Sequence, residues 1–188
     1  MITIVSGLPR SGTSLMMQML VAGGMTPLAD GERAADADNP RGYLEWERIK
    51  TLPNDPACIA AAEGKVVKVI SKLLLALPPG HNYRVVFMER PMPEVLASQA
   101  KMLERRGVTN SPAADQAMAA AFERHLQEVF AWLDKTPRVK SLRLRYQAVL
   151  REPAAAADQL EQFLGAHLDA AAMTQAVDAS LYRNRGAK

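Results

Sequence analysis

Cysteine is nearly absent from this chain: Cys58 stands alone among 188 residues. One thiol excludes an internal disulfide framework and a cysteine-built metal site, and a lone Cys behaves as a small, half-buried apolar residue. An excess of charge of one sign is also missing. The formal net charge is +3, from 23 Lys and Arg against 20 Asp and Glu. No basic block stands out, so nothing favours nucleic acid as a partner, and one mildly basic cleft for an anionic small molecule accounts for the balance. The longest apolar run, around residues 15–22, falls far short of the roughly 20 residues of a membrane span. The N-terminus has neither the positive segment nor the long apolar segment of a signal peptide. A cytoplasmic protein without a membrane partner is the expectation. No repeat, low-complexity tail or linker divides the chain, so one domain over residues 1–188 is expected, long enough for a substantial core.

Apolar runs alternate with helical patterns. Residues 2–6, 66–70, 84–88 and 139–143 read as strands, the third most clearly (Arg-Val-Val-Phe-Met). Helices are expected over 12–22, 45–52, 72–77, from Pro91 and Pro93 to about 105, then 112–134, 153–164 and 169–177, with Gly23-Gly24 and Pro78-Pro79-Gly80 as stops. Residues 29–42 carry turn formers without periodicity and read as a long loop, a kind that is commonly functional. Strands alternating with helices and few hairpin signals predict an α/β fold of three layers, P-loop-like, with a central parallel sheet of about four to five strands and helices on both faces. The apolar face of the 112–134 helix could pair with a copy of itself as a homodimer.

The first strand runs into Gly7-Leu8-Pro9-Arg10-Ser11-Gly12-Thr13-Ser14. A strand, a glycine-bounded turn and a helix present backbone N–H groups to a phosphate, and the Gly7-to-Gly12 spacing is that of a P-loop. A nucleotide triphosphatase places Lys after the second glycine. That lysine is lacking: Thr13 holds the position, and the nearest cation is Arg10, inside the loop. A second segment, Arg84 to Pro91 and on to Ser98-Gln99, ends a strand with Arg90, a planar cation suited to phosphate, and sets Ser98 eight residues later. A third, Leu144-Arg145-Tyr146 through Pro153 to Phe163-Leu164-Gly165, has a Tyr-led turn, a proline and a helix stop.

In this order the three segments resemble the sulfotransferase family, which uses 3'-phosphoadenosine 5'-phosphosulfate as donor. The resemblance implies that Arg10, Ser11, Gly12, Thr13 and Ser14 form the phosphosulfate loop. It implies further that Arg90 and Ser98 bind the 3'-phosphate and that Tyr146 lies near the adenine. A shorter match at Arg183-Asn184-Arg185-Gly186 implies a further anion contact from Arg185. The chain is short for the family, so acceptor-binding insertions are expected to be reduced.

Sulfuryl transfer needs in-line geometry and donors facing the charge on the transferring and leaving groups. Arg10, the helix N-terminus and the loop hydroxyls supply them, so no metal is required, and no His/Asp/Glu cluster has metal-ligand spacing. A general base must also reach the acceptor hydroxyl. One branch of the family uses a His two residues after a strand-end Lys; here Lys68 matches the Lys, but Ile70 holds the His position. His81, His125 and His167 fall in a turn, within a helix and after a helix stop. Other branches use a Glu after the first helix, and Gly42-Tyr43-Leu44-Glu45 resembles the Gly-Tyr-x-Glu element of bacterial members. Glu45 is therefore the expected base, with Glu47 second, and Lys68 an expected contact to the sulfuryl group. The acceptor would be a small molecule or carbohydrate with a hydroxyl or amine. Two other functions fit the residues. One is an ATP-dependent small-molecule kinase, with Val85 to Glu89 as a Walker B-like strand; the other is a nucleotide-binding homologue without catalysis.

Overall fold

The structure is a computed structural model that describes residues 1–36, 42–105, 107–108 and 111–178. Its centre is β1 (Ile2–Gly7), every residue of which is buried. The run Ile-Thr-Ile-Val favours a pleated strand because branched side chains pack well on both faces. β1 pairs in parallel with β2 (Val66–Lys68) on one side and β3 (Tyr83–Glu89) on the other, and β3 pairs in parallel with β4 (Val139–Arg145), giving the order β2-β1-β3-β4. Val5 lies opposite Lys68 and Gly7 opposite Met88, so the loops after β1, β2 and β3 leave the sheet at one edge. The chain passes from β1 to one neighbour and then to the other. That switch opens a crevice at the carboxyl ends of the strands.

Alternation along the strands splits the core in two. Ile2, Ile4, Val85 and Phe87 face one layer, containing α2 (Ser71–Leu74) and α4 (Pro112–Lys135). Val5, Val86 and Met88 face the other, containing α1 (Thr13–Ala22), α6 (Pro153–Leu164) and α7 (Ala170–Gln175). α1 fills its layer with Met16, Met17, Met19 and Leu20, all fully buried; unbranched Met side chains adapt to irregular gaps. Both sheet faces are thus covered by helices, as the α/β alternation predicts.

Several expected boundaries move. β2 stops at Lys68; the Val69 N–H still donates to the Val5 carbonyl at 3.0 Å, and Ile70 leads into α2. The helix expected over 45–52 is a 3-10 segment, Glu47–Thr51, and a second one, Pro56–Ala62, follows it unforeseen. α3 (Met92–Arg105) starts between its two prolines, with Pro93 in its first turn. The Tyr-led turn is a helix, α5 (Tyr146–Arg151). The edge strand β4 extends to Arg145 and exposes Lys140, Arg143 and Arg145, charges that discourage pairing with another chain.

At the other end of the sheet, Arg84 donates from NH1 to the carbonyl of Phe163, in the last turn of α6, where a cation meets the negative end of the helix dipole. Gly165 closes that helix with φ +56, a left-handed cap natural to glycine. Replacing Arg84 by Met is expected to lower stability in urea by about 1–3 kcal/mol while leaving ligand binding at the far edge unchanged. An unaltered unfolding midpoint would show that the contact contributes nothing.

Candidate active site

The loop after β1 is shaped by three left-handed residues. Gly7 has φ +153, and a Cβ there would fall 2.7 Å from the Met88 carbonyl oxygen. Gly12 has φ +100, and a Cβ there would be driven into the ring of Tyr146. Arg10, with φ +70, holds the same backbone region with a full side chain, an arrangement that persists only where surroundings enforce it. They do so from both ends. The Arg10 Nε donates to the Ser98 hydroxyl at 2.9 Å, and the Arg10 carbonyl accepts from Arg90 NH1 at 3.0 Å.

Arg90 is itself fixed. Its Nε donates to Glu94 at 2.9 Å, with the two side chains 7% and 5% exposed. Gln147 donates to the other Glu94 oxygen, and the guanidinium lies 4.7 Å from the Tyr146 ring centre. The three sequence segments therefore meet at one place: Arg10 from the loop, Arg90 and Ser98 from the end of β3 and α3, Tyr146 from α5. The sequence suggested a phosphate ligand at Arg90. The structure shows a buried ion pair that also holds the loop backbone. Among the described residues no side chain caps the start of α1, whose first amides have no carbonyl one turn earlier. The Ser11 hydroxyl is buried and has no partner among the described residues.

The facing wall is built from the end of β2 and the long loop. Lys68, 5% exposed, donates from Nζ to Ser14 at 3.0 Å, to the Tyr43 carbonyl and to Glu45 at 3.3 Å. Burial pushes its amine down to about 8 from the usual 10.5, against the opposing pull of Glu45. Arg33 NH1 contacts both Glu45 oxygens, at 3.0 and 3.2 Å, and its guanidinium carbon sits 3.4 Å from the Tyr43 ring centre. Leu44, at φ +49, turns the backbone between the buried Tyr43 and the cleft-facing Glu45. The Tyr43 hydroxyl donates to Asp36 at 2.8 Å.

Between these walls lies a cleft of about 390 Å³ lined by Arg10, Gly12, Thr13, Ser14, Glu45, Lys68, Arg90, Ser98 and Tyr146, within the range of small-molecule sites. Glu47 lies at its rim, paired with Lys50. Ile70, at the position where a His was considered, also lines it and is 46% exposed. His81 bonds Glu63, His125 bonds Ser71 and His167 bonds Glu161; none of the three lines the cleft. Arg185 lies outside the described residues. Sequence reasoning missed Arg33, Tyr43, Glu94 and Gln147. For Glu94 a signal existed, the i, i+4 spacing from Arg90 that puts opposite charges within reach on a helix. Arg33 offered none, because a loop closure leaves no periodicity.

A parallel α/β sheet with a glycine-bounded loop after its central strand places this cleft at the carboxyl ends of the strands, where open α/β sheets bind ligands. Among solved structures the chain is similar to the sulfotransferase domain from the curacin biosynthetic pathway (TM-score 0.54, 15% identity, 94% of this chain and 77% of that one). It is also similar to the sulfotransferase domain of the Synechococcus PCC 7002 olefin synthase (TM-score 0.56, 15% identity, 99% and 80%). The chain has the fold of these domains. No family model and no curated protein matches its sequence. Among the described residues no helix is long and apolar enough to cross a membrane, and no group of three His, Cys, Asp or Glu could hold a metal.

The buried Lys68 gives a testable pH dependence. With its folded value near 8 and its unfolded value near 10.5, the unfolded chain binds more protons between these limits, so this residue makes stability rise with pH from about 8 to 10.5. Below about 8 its cost to the folded state is fully present. Urea unfolding across this range should show a steeper rise for the wild type than for Lys68→Met, and equal slopes would remove Lys68 as the cause.

Proposed function

We propose that the chain transfers a sulfuryl group from 3'-phosphoadenosine 5'-phosphosulfate to a hydroxyl or amine of a small-molecule or carbohydrate acceptor. The observation that carries this reading is the held loop. Arg10, not a lysine after the second glycine, is the cation inside it, and its strained backbone is fixed through Ser98 and Arg90. A second cation reaches the same cleft from β2, since Lys68 bonds Ser14 at the head of α1. A donor whose phosphosulfate rests on the loop would meet Arg10, the first amides of α1, Ser14 and Lys68, groups aimed where charge develops on the bridging oxygen as it leaves.

The residues also fit the other half of the reaction. Glu45 opens on the cleft beside Lys68. An acceptor hydroxyl there would lose its proton to the Glu45 carboxylate as its oxygen forms the new bond to sulfur and the bond from sulfur to the 5'-phosphate breaks. Fixed groups need no reorganisation during the step, which is the source of their effect. Tyr146, lying along Gly12 and under Arg90, bounds the end of the cleft where the adenine would lie. Ser98 and Arg90 bound the place proposed for the 3'-phosphate.

Calorimetric titration tests the donor. 3'-Phosphoadenosine 5'-phosphate is expected to bind without added metal, and Arg10→Ala to weaken it by about 10- to 100-fold, the worth of a hydrogen bond to a charged group. Tight, Mg²⁺-dependent ATP binding with no response to the bisphosphate would sink the reading in favour of a kinase. Glu45→Gln should cut turnover by about 10²- to 10⁴-fold with donor affinity intact, and undiminished turnover would remove Glu45 as the base.

A further inference from the structure

Glu45 has two cationic partners of different kinds. Lys68 is the more distant, at 3.3 Å, and its Nζ also bonds Ser14 and the Tyr43 carbonyl. An anion resting on the loop would draw Nζ toward Ser14 and away from the carboxylate, because a buried amine follows the nearest uncompensated negative charge. A carboxylate with Lys68 as its one cation would either follow the amine or be left in a half-enclosed cleft without a countercharge.

Arg33 is built against both outcomes. One nitrogen, NH1, reaches both Glu45 oxygens at 3.0 and 3.2 Å, which holds the cation in front of the carboxylate rather than on one oxygen. The guanidinium is held flat on the Tyr43 ring at 3.4 Å, a cation–π contact of the kind Arg makes readily. Tyr43 is anchored in turn by its carbonyl on Lys68 and its hydroxyl on Asp36. The two limbs that carry Arg33 and Glu45 are tied at the neck of the loop. The Asp30 N–H donates to the Glu45 carbonyl at 3.2 Å, and the Glu47 N–H donates to the Asp30 carboxylate at 2.6 Å. Arg33 also lines the cleft, so the grip operates where an acceptor would enter.

We propose that Arg33 is a positioning residue: by holding Glu45 through both oxygens while lying on Tyr43, it keeps the carboxylate aimed into the cleft when Lys68 turns to the donor. The proposal rests on the sulfuryl-transfer reading of the same cleft. It assigns Arg33 no contact with the reacting atoms. The rate of transfer should therefore depend on Arg33 and donor affinity should not.

The test compares wild type, Arg33→Ala and Arg33→Lys. Hydrolysis of 3'-phosphoadenosine 5'-phosphosulfate, with water as acceptor, is followed by release of the bisphosphate, and bisphosphate affinity is measured by calorimetry. Arg33→Ala is expected to slow hydrolysis at least 10-fold with affinity unchanged within about 2-fold, and Arg33→Lys to recover part of the rate. A second readout needs no turnover. Lys68 is faced by Glu45, Arg33, the Tyr43 ring and Ser14. Arg33 disfavours its proton and Glu45 favours it, so Arg33→Ala should move the Lys68 titration, read by side-chain NMR, to higher pH. Unchanged hydrolysis, an unmoved Lys68 titration, or a loss of bisphosphate affinity in step with thermal stability would each overturn the proposal. So would bisphosphate binding by a wild type that cleaves no donor, since no carboxylate would then be at work. A wild type that neither binds the bisphosphate nor cleaves the donor refutes the sulfuryl-transfer reading itself; the NMR titration then decides separately whether Arg33 holds Glu45.

Discussion

A guanidinium buried at the end of a strand must be surrounded by partners, because an unpaired charge in the interior costs several kcal/mol. Arg90 draws its four partners from three places. Glu94 comes from α3, Gln147 and Tyr146 from α5, and the Arg10 carbonyl from the loop after β1. Satisfying one charge therefore clamps the end of β3, two helices and the loop into a single arrangement. The clamp allows Arg10 to keep a left-handed backbone that an exposed loop would relax, and it presses Tyr146 against Gly12. Geometry that looks local to the loop is imposed from a neighbouring strand.

The two walls of the cleft differ in how they are made. The loop wall is packed directly on the sheet, with the Gly7 backbone against Met88 and the Gly12 backbone against Tyr146. The opposite wall is a long loop closed on itself at Asp30, Glu45 and Glu47 and tied to the sheet through Lys68. Segments stabilised by a few polar contacts open at lower free energy than segments packed in a core. The wall carrying Glu45 thus rests on polar contacts, whereas the loop wall rests on packing against the sheet.

Much of the fold was legible in the chain. Ile-Thr-Ile-Val and Arg-Val-Val-Phe-Met announce strands buried on both faces, and glycines at 7 and 12 announce the turn between strand and helix. What escaped had physical reasons. Val-Val-Lys-Val-Ile looks like one strand, yet after the Val69 N–H bonds Val5 the chain turns at Ile70 into α2. Tyr146–Arg151 has too few residues to show a helical period. Of the site, Arg10, Lys68, Glu45, Arg90, Ser98 and Tyr146 were named from sequence and do meet at one cleft. Arg33 was not, because its meeting with Glu45 depends on a loop closing across an irregular stretch. Arg90 was named as a phosphate ligand, and its spacing gives no sign of how fully the cation is engaged by Glu94, Tyr146 and the Arg10 carbonyl.

An amine that is half-ionised near pH 8 in the wall of a cleft has one more consequence. A negative ligand arriving beside Lys68 stabilises the ammonium form, so binding at mildly alkaline pH would draw a fraction of a proton from solution. The cleft would then act as a proton-coupled anion trap. Its heat of binding would vary with the ionisation enthalpy of the buffer, and its affinity would fade as hydroxide competes for the same proton. A lysine fixed by burial rather than by a surface ion pair thus joins the acidity of the medium to occupancy of the site.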